Sequence, residues 1–263
     1  DKLLYIFKDN GGRNVGLRYD QTVPLSRVVA QYQNELPLPF KRYQIQPVWR
    51  AENTQKGRFR EFLQCDIDTI GSNSPLSDAE IINCSLSAFK QLGFSRLTML
   101  LNDRTIFDAL NLTKVEIIIL DKLEKIGKDE VIQQLRAAGR TDAENLLEVL
   151  KSTKPTERLY NIIASLKNLG YKEGVDFRFD PFLARGLDYY TSTIFELKVD
   201  EYSAGSLAGG GRYDKLIGQF SGRDVPEVGI AFGFDRLVEA MEMLNLLPNR
   251  TTAIQILVTV FSH

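Results

Sequence analysis

Histidine is nearly absent from this chain: the one His among 263 residues is His263, the last. Serine–histidine and cysteine–histidine catalysis, and imidazole-based metal sites, are thereby excluded from the body of the sequence. Cysteine is almost as scarce. Cys65 and Cys84 fall on expected core positions and supply no disulfide framework, which fits a reducing, cytoplasmic setting. No apolar run reaches the length of a membrane span, and the first residues do not read as a signal peptide. An excess of either charge is also missing. A net charge of -1 neither recommends nor excludes nucleic acid, since a local basic patch binds phosphate on a neutral chain. Chemistry is left to arginines, carboxylates, tyrosines and a metal carried in by a substrate.

What is present suits a soluble globular protein of one large or two smaller domains: 43% hydrophobic and 25% charged residues can bury a sizeable core. The stretch 42–70, RYQIQPVWRAENTQKGRFREFLQCDIDTI, reads as a long β-hairpin. Side chains alternate along a strand, so Arg42, Gln44, Gln46, Val48, Arg50 and Glu52 share one face. Tyr43, Ile45, Pro47, Trp49 and Ala51 share the other. On the second strand Arg58, Arg60, Phe62, Gln64, Asp66 and Asp68 face one way, and Phe59, Leu63, Cys65, Ile67 and Thr69 the other. One face is expected in the core while the opposite face is dense in charge. Such a face is either the wet side of an antiparallel sheet or a binding surface. Its order favours binding, with arginines near the loop, carboxylates at the far end and Phe62 between them. An anionic, base-bearing ligand fits one end and an ammonium group the other.

Elsewhere, LLYIF and VGLRYDQTVP flank a turn signal and predict a short hairpin, with Arg18, Asp20 and Thr22 on one face and Pro24 ending the second strand. Ala79, Ile82, Leu86 and Phe89 recur at helical spacing after Ser74, and Gly93 is the expected C-cap. Residues 111–172 are helical and charged, a subdomain-sized insertion. Its Lys122, Lys125, Lys128, Arg136 and Arg140 read either as a solvated face or as an RNA-contacting surface. Strand character returns in VDFRFD and ARGLDYYTSTIFELKV, and AGSLAGGGRYD runs as a strand into three glycines. Gly229, Ala231 and Gly233 place small side chains at period two before a helix near Phe234. Something must approach that sheet closely.

RAENTQKGRFREFLQ, ARGLDYYTSTIFE, AGGGRYD, VGIAFGFDRL and LRYDQTVP resemble, in order and spacing, the motifs of histidyl-tRNA synthetase, a class II aminoacyl-tRNA synthetase. The resemblance implies an α+β fold, an antiparallel sheet flanked by helices, with a helical insertion. The hairpin at 42–70 resembles class II motif 2, and Val228 to Leu237 resembles motif 3. It implies a catalytic core in 1–110 and 173–250, the insertion at 111–172, and the start of an anticodon-binding domain at 251–263. Motif 1, which carries the family's homodimer interface, is expected to precede Asp1.

Residue roles follow from the same resemblance. Arg50 matches the arginine on the ATP α-phosphate and the amino-acid carboxylate, where a planar fork suits two anionic oxygens. Arg236 matches the motif 3 arginine against the adenine and γ-phosphate, Arg58 lies near the outer phosphates, and Phe62 stacks on adenine. Arg185 matches the arginine of the histidine-specific segment, which contacts the α-phosphate; a strand-end ion pair is its alternative. Asp20, Thr22 and Gln64 align with residues on the substrate α-amino group, and Asp68 and Tyr190 with those around the imidazole. Aspartate stands at 20 and 68 where bacterial relatives carry glutamate. Leu187, Tyr189 and Tyr213 shape the pocket. Gln55 and Lys56 lie where the family reaches the tRNA acceptor end, or form a solvated turn. The implied substrates are histidine, ATP with Mg2+, and the tRNA for histidine. Non-catalytic relatives, such as a regulatory subunit of ATP phosphoribosyltransferase, tend to lose the catalytic arginines; Arg50, Arg58, Arg185 and Arg236 are all present here.

Overall fold

The computed structural model describes residues 3–54, 59–185, 189–202 and 205–248. Gln55, Lys56, Arg58, Leu187 and the stretch 251–263 lie outside the described residues.

A small antiparallel hairpin, β1 (Ile6–Lys8) and β2 (Asn14–Gly16), leads into α1 (Thr22–Tyr32). Here the expectation fails in detail. The second strand stops at Gly16, and Pro24 lies inside the first turn of α1, where a missing backbone N–H costs nothing. Next come β3 (Phe40–Trp49), β4 (Glu61–Ile70), α2 (Pro75–Gln91) and β5 (Leu97–Asp103). Ser74 caps α2 by accepting from Leu76 N, and Gly93 ends it with a φ of 96°. Helices follow: α3 (Arg104–Ala109), α4 (Lys114–Leu120), α5 (Leu123–Ile126), α6 (Lys128–Ala137), α7 (Ala143–Ser152) and α8 (Glu157–Asn168). The chain returns through β6 (Phe177–Phe179), β7 (Thr193–Val199), β8 (Ala208–Arg212), α9 (Gly218–Ser221), β9 (Glu227–Gly233) and α10 (Phe234–Met243). The three glycines 209–211 lie inside β8 rather than beyond it.

Seven strands form one sheet in the order β3-β4-β9-β8-β7-β5-β6, antiparallel except for the β5–β6 pair. This is the expected α+β architecture, a mostly antiparallel sheet flanked by helices. One face carries Met99, Phe195, Leu197, Val228 and Ile230 against α2, α8 and α10, with Ala79, Ile82, Leu86 and Phe89 all buried in that core. The other face carries Leu100 and Ile194 against α3, α4, α6 and α7, together with Tyr190 and Tyr213. Among the described residues no helix is long and apolar enough to cross a membrane.

The hairpin β3–β4 corrects one expectation. Cys65 and Ile67 do pack on the core, but Tyr43 and Ile45 on β3 are 77% and 51% exposed, and Leu63 and Phe59 are exposed as well. The helices under the sheet do not reach its β3 edge, so alternation assigned those side chains to the right face without covering them. The charged face holds the buried positions instead: Gln64, Asp66 and Asp68 are all buried. Cys84, expected in the core, is exposed.

Candidate active site

The site is a trough made by the cross-strand register. Residues paired directly across a sheet share a face, and one row runs Gln44–Asp66–Ala231–Gly209–Glu196 from β3 to β7. The neighbouring row runs Arg42–Asp68–Gly229–Gly211–Ile194. In both rows the two central strands offer only glycine or alanine, while β4 offers carboxylates. Long side chains from the flanks lie down over the bare centre: a Cβ on Gly209 would collide with the Arg185 guanidinium, one on Gly229 with Asp68, and one on Gly211 with Tyr190. These glycines serve close approach, as the period-two pattern implied. Above the floor is a cavity of about 300 Å³ lined by Asp20, Thr22, Arg50, Phe62, Gln64, Asp66, Asp68, Arg185, Tyr189, Tyr190, Tyr213 and Arg236 among others.

The loop bearing Asp20 and Thr22 is tied to the hairpin by backbone and side-chain bonds. Trp49 N donates to Arg18 O at 2.9 Å, Arg18 reaches Pro47 O at 2.7 Å, and the buried Gln21 amide donates to Gln64 O at 2.6 Å. Asp20 accepts from Val23 N at 3.1 Å at the start of α1. Burial raises the Asp20 carboxyl above its ordinary range, against that bond and the Arg50 charge. Asp68 is raised by burial too, tempered by Arg42 and by the Tyr213 hydroxyl, which donates to its Oδ1. Arg42 NH2 stands 3.0 Å from Asp68 Oδ2 as an ion pair without hydrogen-bond alignment. Asp66 accepts from Gln64 Nε2 at 2.8 Å, and burial, then the Asp68 charge, holds its carboxyl up at about 7. Tyr189 packs edge-on against both Tyr190 and Tyr213, at 4.9 and 5.8 Å between ring centres, and closes this end.

At the other end the arginines gather. Arg50 donates from Nε to Tyr19 O at 3.1 Å and from NH2 to Gln64 Oε1 at 3.2 Å. Its guanidinium lies over the Tyr19 ring at 4.6 Å and the Phe62 ring at 5.2 Å. Arg236, on α10, donates to Ser206 O at 2.8 Å, and Asp235 beside it accepts from Leu63 N at 2.8 Å, fastening α10 to β4. Arg185 NH1 pairs with Glu196 Oε2 at 2.7 Å, so the ion pair weighed as its alternative reading exists. The same guanidinium also lines the cavity above Gly209.

All the described residues singled out from sequence therefore converge on one cavity, although Asp20 and Arg236 are separated by most of the chain. Asp66 and Arg42 complete the acid end without standing among them. Their signal was present, since Asp66 lies between Gln64 and Asp68 on one strand face and Arg42 opposite Asp68 across the hairpin. Among the described residues no group of three carboxylate, imidazole or thiol side chains converges as a ready-made cation cage.

Comparison with known proteins agrees with this geometry. A family model described as histidyl-tRNA synthetase matches residues 1–118 and 110–237. A histidine–tRNA ligase from Wolinella succinogenes is 40% identical over 98% of this chain and 66% of its own length. One from Korarchaeum cryptofilum is 40% identical over 91% of this chain and 61% of its own length. The chain thus spans 61 to 66% of these curated relatives. The crystal structure of histidyl-tRNA synthetase from Nostoc sp. PCC 7120 superposes with a TM-score of 0.78 at 30% identity, covering 93% of this chain and 64% of that one. A Bacillus halodurans structure, described as an ATP phosphoribosyltransferase regulatory subunit/histidyl-tRNA synthetase, shares the fold with a TM-score of 0.73 at 23% identity, over 91% of this chain and 68% of that one.

Proposed function

The chain belongs to the histidyl-tRNA synthetase family, and from that premise we propose that it is the catalytic region of a cytoplasmic histidine–tRNA ligase. Histidine and ATP form histidyl-adenylate and pyrophosphate, and the terminal adenosine of the tRNA then takes the histidyl group. In this reading 1–110 and 173–250 make the catalytic core, 111–172 the helical insertion, and 251–263 opens an anticodon-binding domain. The protein works as a homodimer; the exposed Tyr43 and Ile45 on the edge strand suit such an assembly.

One observation carries the proposal: a single cavity is acid at one end, through Asp20, Gln64, Asp66 and Asp68, and arginine-rich at the other, through Arg50, Arg185 and Arg236. An amino acid and a nucleotide triphosphate need that polarity. The ammonium group sits with Asp20, Thr22 and Gln64. Its carboxylate then points toward Arg50, whose anchoring to Tyr19 O and Gln64 preorganises the fork between carboxylate and α-phosphate. As a carboxylate oxygen bonds to phosphorus and the bond to pyrophosphate breaks, charge builds on the α-phosphate oxygens. Arg50 and Arg185 offset it without any proton transfer, so the lack of a usable histidine is no obstacle. Phe62 and Arg236 hold the base and outer phosphates, with Arg58 beside them. Mg2+ comes with the phosphates, since no preformed cage stands among the described residues, and no step is assigned to it. Gln55 and Lys56 meet the acceptor end of the tRNA.

ATP–pyrophosphate exchange with each amino acid in turn tests this reading. Histidine alone is expected to support exchange. Exchange with no amino acid would leave only the regulatory kind of relative, and exchange with a different one would remove the specificity.

A further inference from the structure

Resting on the ligase reading above, we propose that Glu196 on β7 is a positioning residue for adenylate formation, holding the Arg185 guanidinium in place over the floor of the cavity. Arg185 stands on irregular backbone between β6 and β7, so no helix or strand fixes the direction of its long side chain. Its segment is anchored by the buried Asn102, whose amide donates to Leu183 O at 2.9 Å and to Pro181 O at 3.2 Å. The guanidinium is then held at its tip, where NH1 donates to Glu196 Oε2 at 2.7 Å.

Glu196 lies one strand beyond Gly209, at the end of the floor row that begins with Gln44. The guanidinium lies flat on the backbone beside it: a Cβ on Gly209 would stand 2.5 Å from both NH1 and NH2. Arg185 lines the cavity, whereas Glu196 is not among the lining residues. Glu196 therefore acts on a bound nucleotide only through Arg185. Both side chains are mostly buried, so salt screens the pair little. Burial works against the Arg185 charge, and Tyr190, Glu196 and Asp121 outweigh it. The other oxygen of Glu196 faces Lys198 at 4.0 Å, and that ammonium is itself paired with Glu124 on α5. Arg185 is thus the nearer of the two cations and the one that completes a hydrogen bond to Glu196.

A donor aimed at developing charge lowers a barrier only when it is already in place as the charge forms. Arginine is a long side chain with many rotamers, and a misplacement of about 1 Å costs on the order of a hundredfold in rate. Glu196 removes that freedom before a nucleotide arrives. Its bond engages one terminal nitrogen of the fork, and Nε is buried without a hydrogen bond among the described residues, so the hold rests on NH1.

The test is a double-mutant cycle between Glu196→Gln and Arg185→Ala in the exchange assay. Glu196→Gln alone should slow adenylate formation on the order of tenfold, and Glu196→Ala more, while the KM for histidine stays within about threefold. In the Arg185→Ala background the same Glu196→Gln change should alter the rate by less than about twofold. Equal losses in both backgrounds, or an unchanged rate in Glu196→Gln alone, would overturn the proposal. Lys198→Met leaves the pair intact and should keep the rate within about threefold. A loss as large as that of Glu196→Gln would assign the effect to the whole charge row and overturn it too. A readout independent of turnover is nitrogen NMR of the Arg185 guanidinium, whose rotation about its Nε–Cζ bond should be slower in the unsubstituted protein than in Glu196→Gln. If the unsubstituted protein supports no exchange, the ligase reading fails; equal rotation in the two proteins sinks the Glu196 proposal separately.

Discussion

Two clusters of buried charge sit in this fold, and they are built by opposite rules. Around Asp78, in the first turn of α2, charges match. Arg212, fully buried on β8, donates to Asp78 at 2.6 Å, to Asp214 at 3.1 Å and to Ser72 O at 3.0 Å. Arg158 from α8 adds a bond to Asp78 at 2.8 Å, and the Thr193 hydroxyl donates to the same carboxylate. Two acids face two arginines, and four elements are joined. Around Asp66, three buried acids, Asp20, Asp66 and Asp68, face Arg42, which pairs with Asp68, and Arg50, whose side-chain bond goes to Gln64 rather than to an acid. A closed network fixes structure, because removing any member strands a buried charge. An open one leaves electrostatic work for a ligand to do.

The comparison breaks most sharply at Arg212. Arg212→Ala should lower unfolding stability by about 3 to 5 kcal/mol, because Asp78 would be left buried beside a single arginine. Urea titration checks it, and a loss below about 1 kcal/mol would mean the network holds little. On the open side, Arg185→Ala should slow adenylate formation by about a hundredfold to a thousandfold while sparing histidine binding. An unaffected exchange rate would remove Arg185 from the mechanism.

Glu227 sharpens the contrast from a third place. It is fully buried on β9, neither oxygen completes a hydrogen bond, and burial, then the Asp68 charge, lifts its carboxyl to about 9; nearby Ser26 offsets this only partly. The folded state then holds a proton that the unfolded chain releases above its ordinary value of 4.5. Stability therefore falls as pH rises between those two values, and Glu227→Gln should remove the fall. A gain of about 2–4 °C in Tm at pH 8, absent at pH 4, is the expected result in thermal melts. Equal shifts at both pH values would rule out titration as the cause. The smallest effect belongs to Phe62→Ala, which should raise the KM for ATP by about fivefold to tenfold and leave that for histidine alone. A change in both would place Phe62 in the shared scaffold rather than against the base.

Much of the site was legible because strand alternation is a local property. The face shared by Phe62, Gln64, Asp66 and Asp68 follows from the pleat alone, and the small residues at 229, 231 and 233 announced a floor that other groups approach. Less legible was everything set by neighbours distant in sequence. Tyr43 and Ile45 alternate as a core face does, yet they are exposed because among the described residues no helix packs closely beneath the β3 edge. Pro24 reads as a strand stop, and α1 absorbs it because the first helical turn needs no N–H there.

By itself, then, the sequence determined the family, the element types and the polarity of a surface with acids at one end and arginines at the other. These depend on residue identity and on spacing along a single strand or helix. Only the tertiary structure decided what surrounds each acid. Asp66 and Asp68 share a strand, a face and a side-chain type, and differ in what other elements bring to them: Arg42 from across the hairpin and Tyr213 from beyond β8 reach Asp68, while Gln64 on the same strand donates to Asp66.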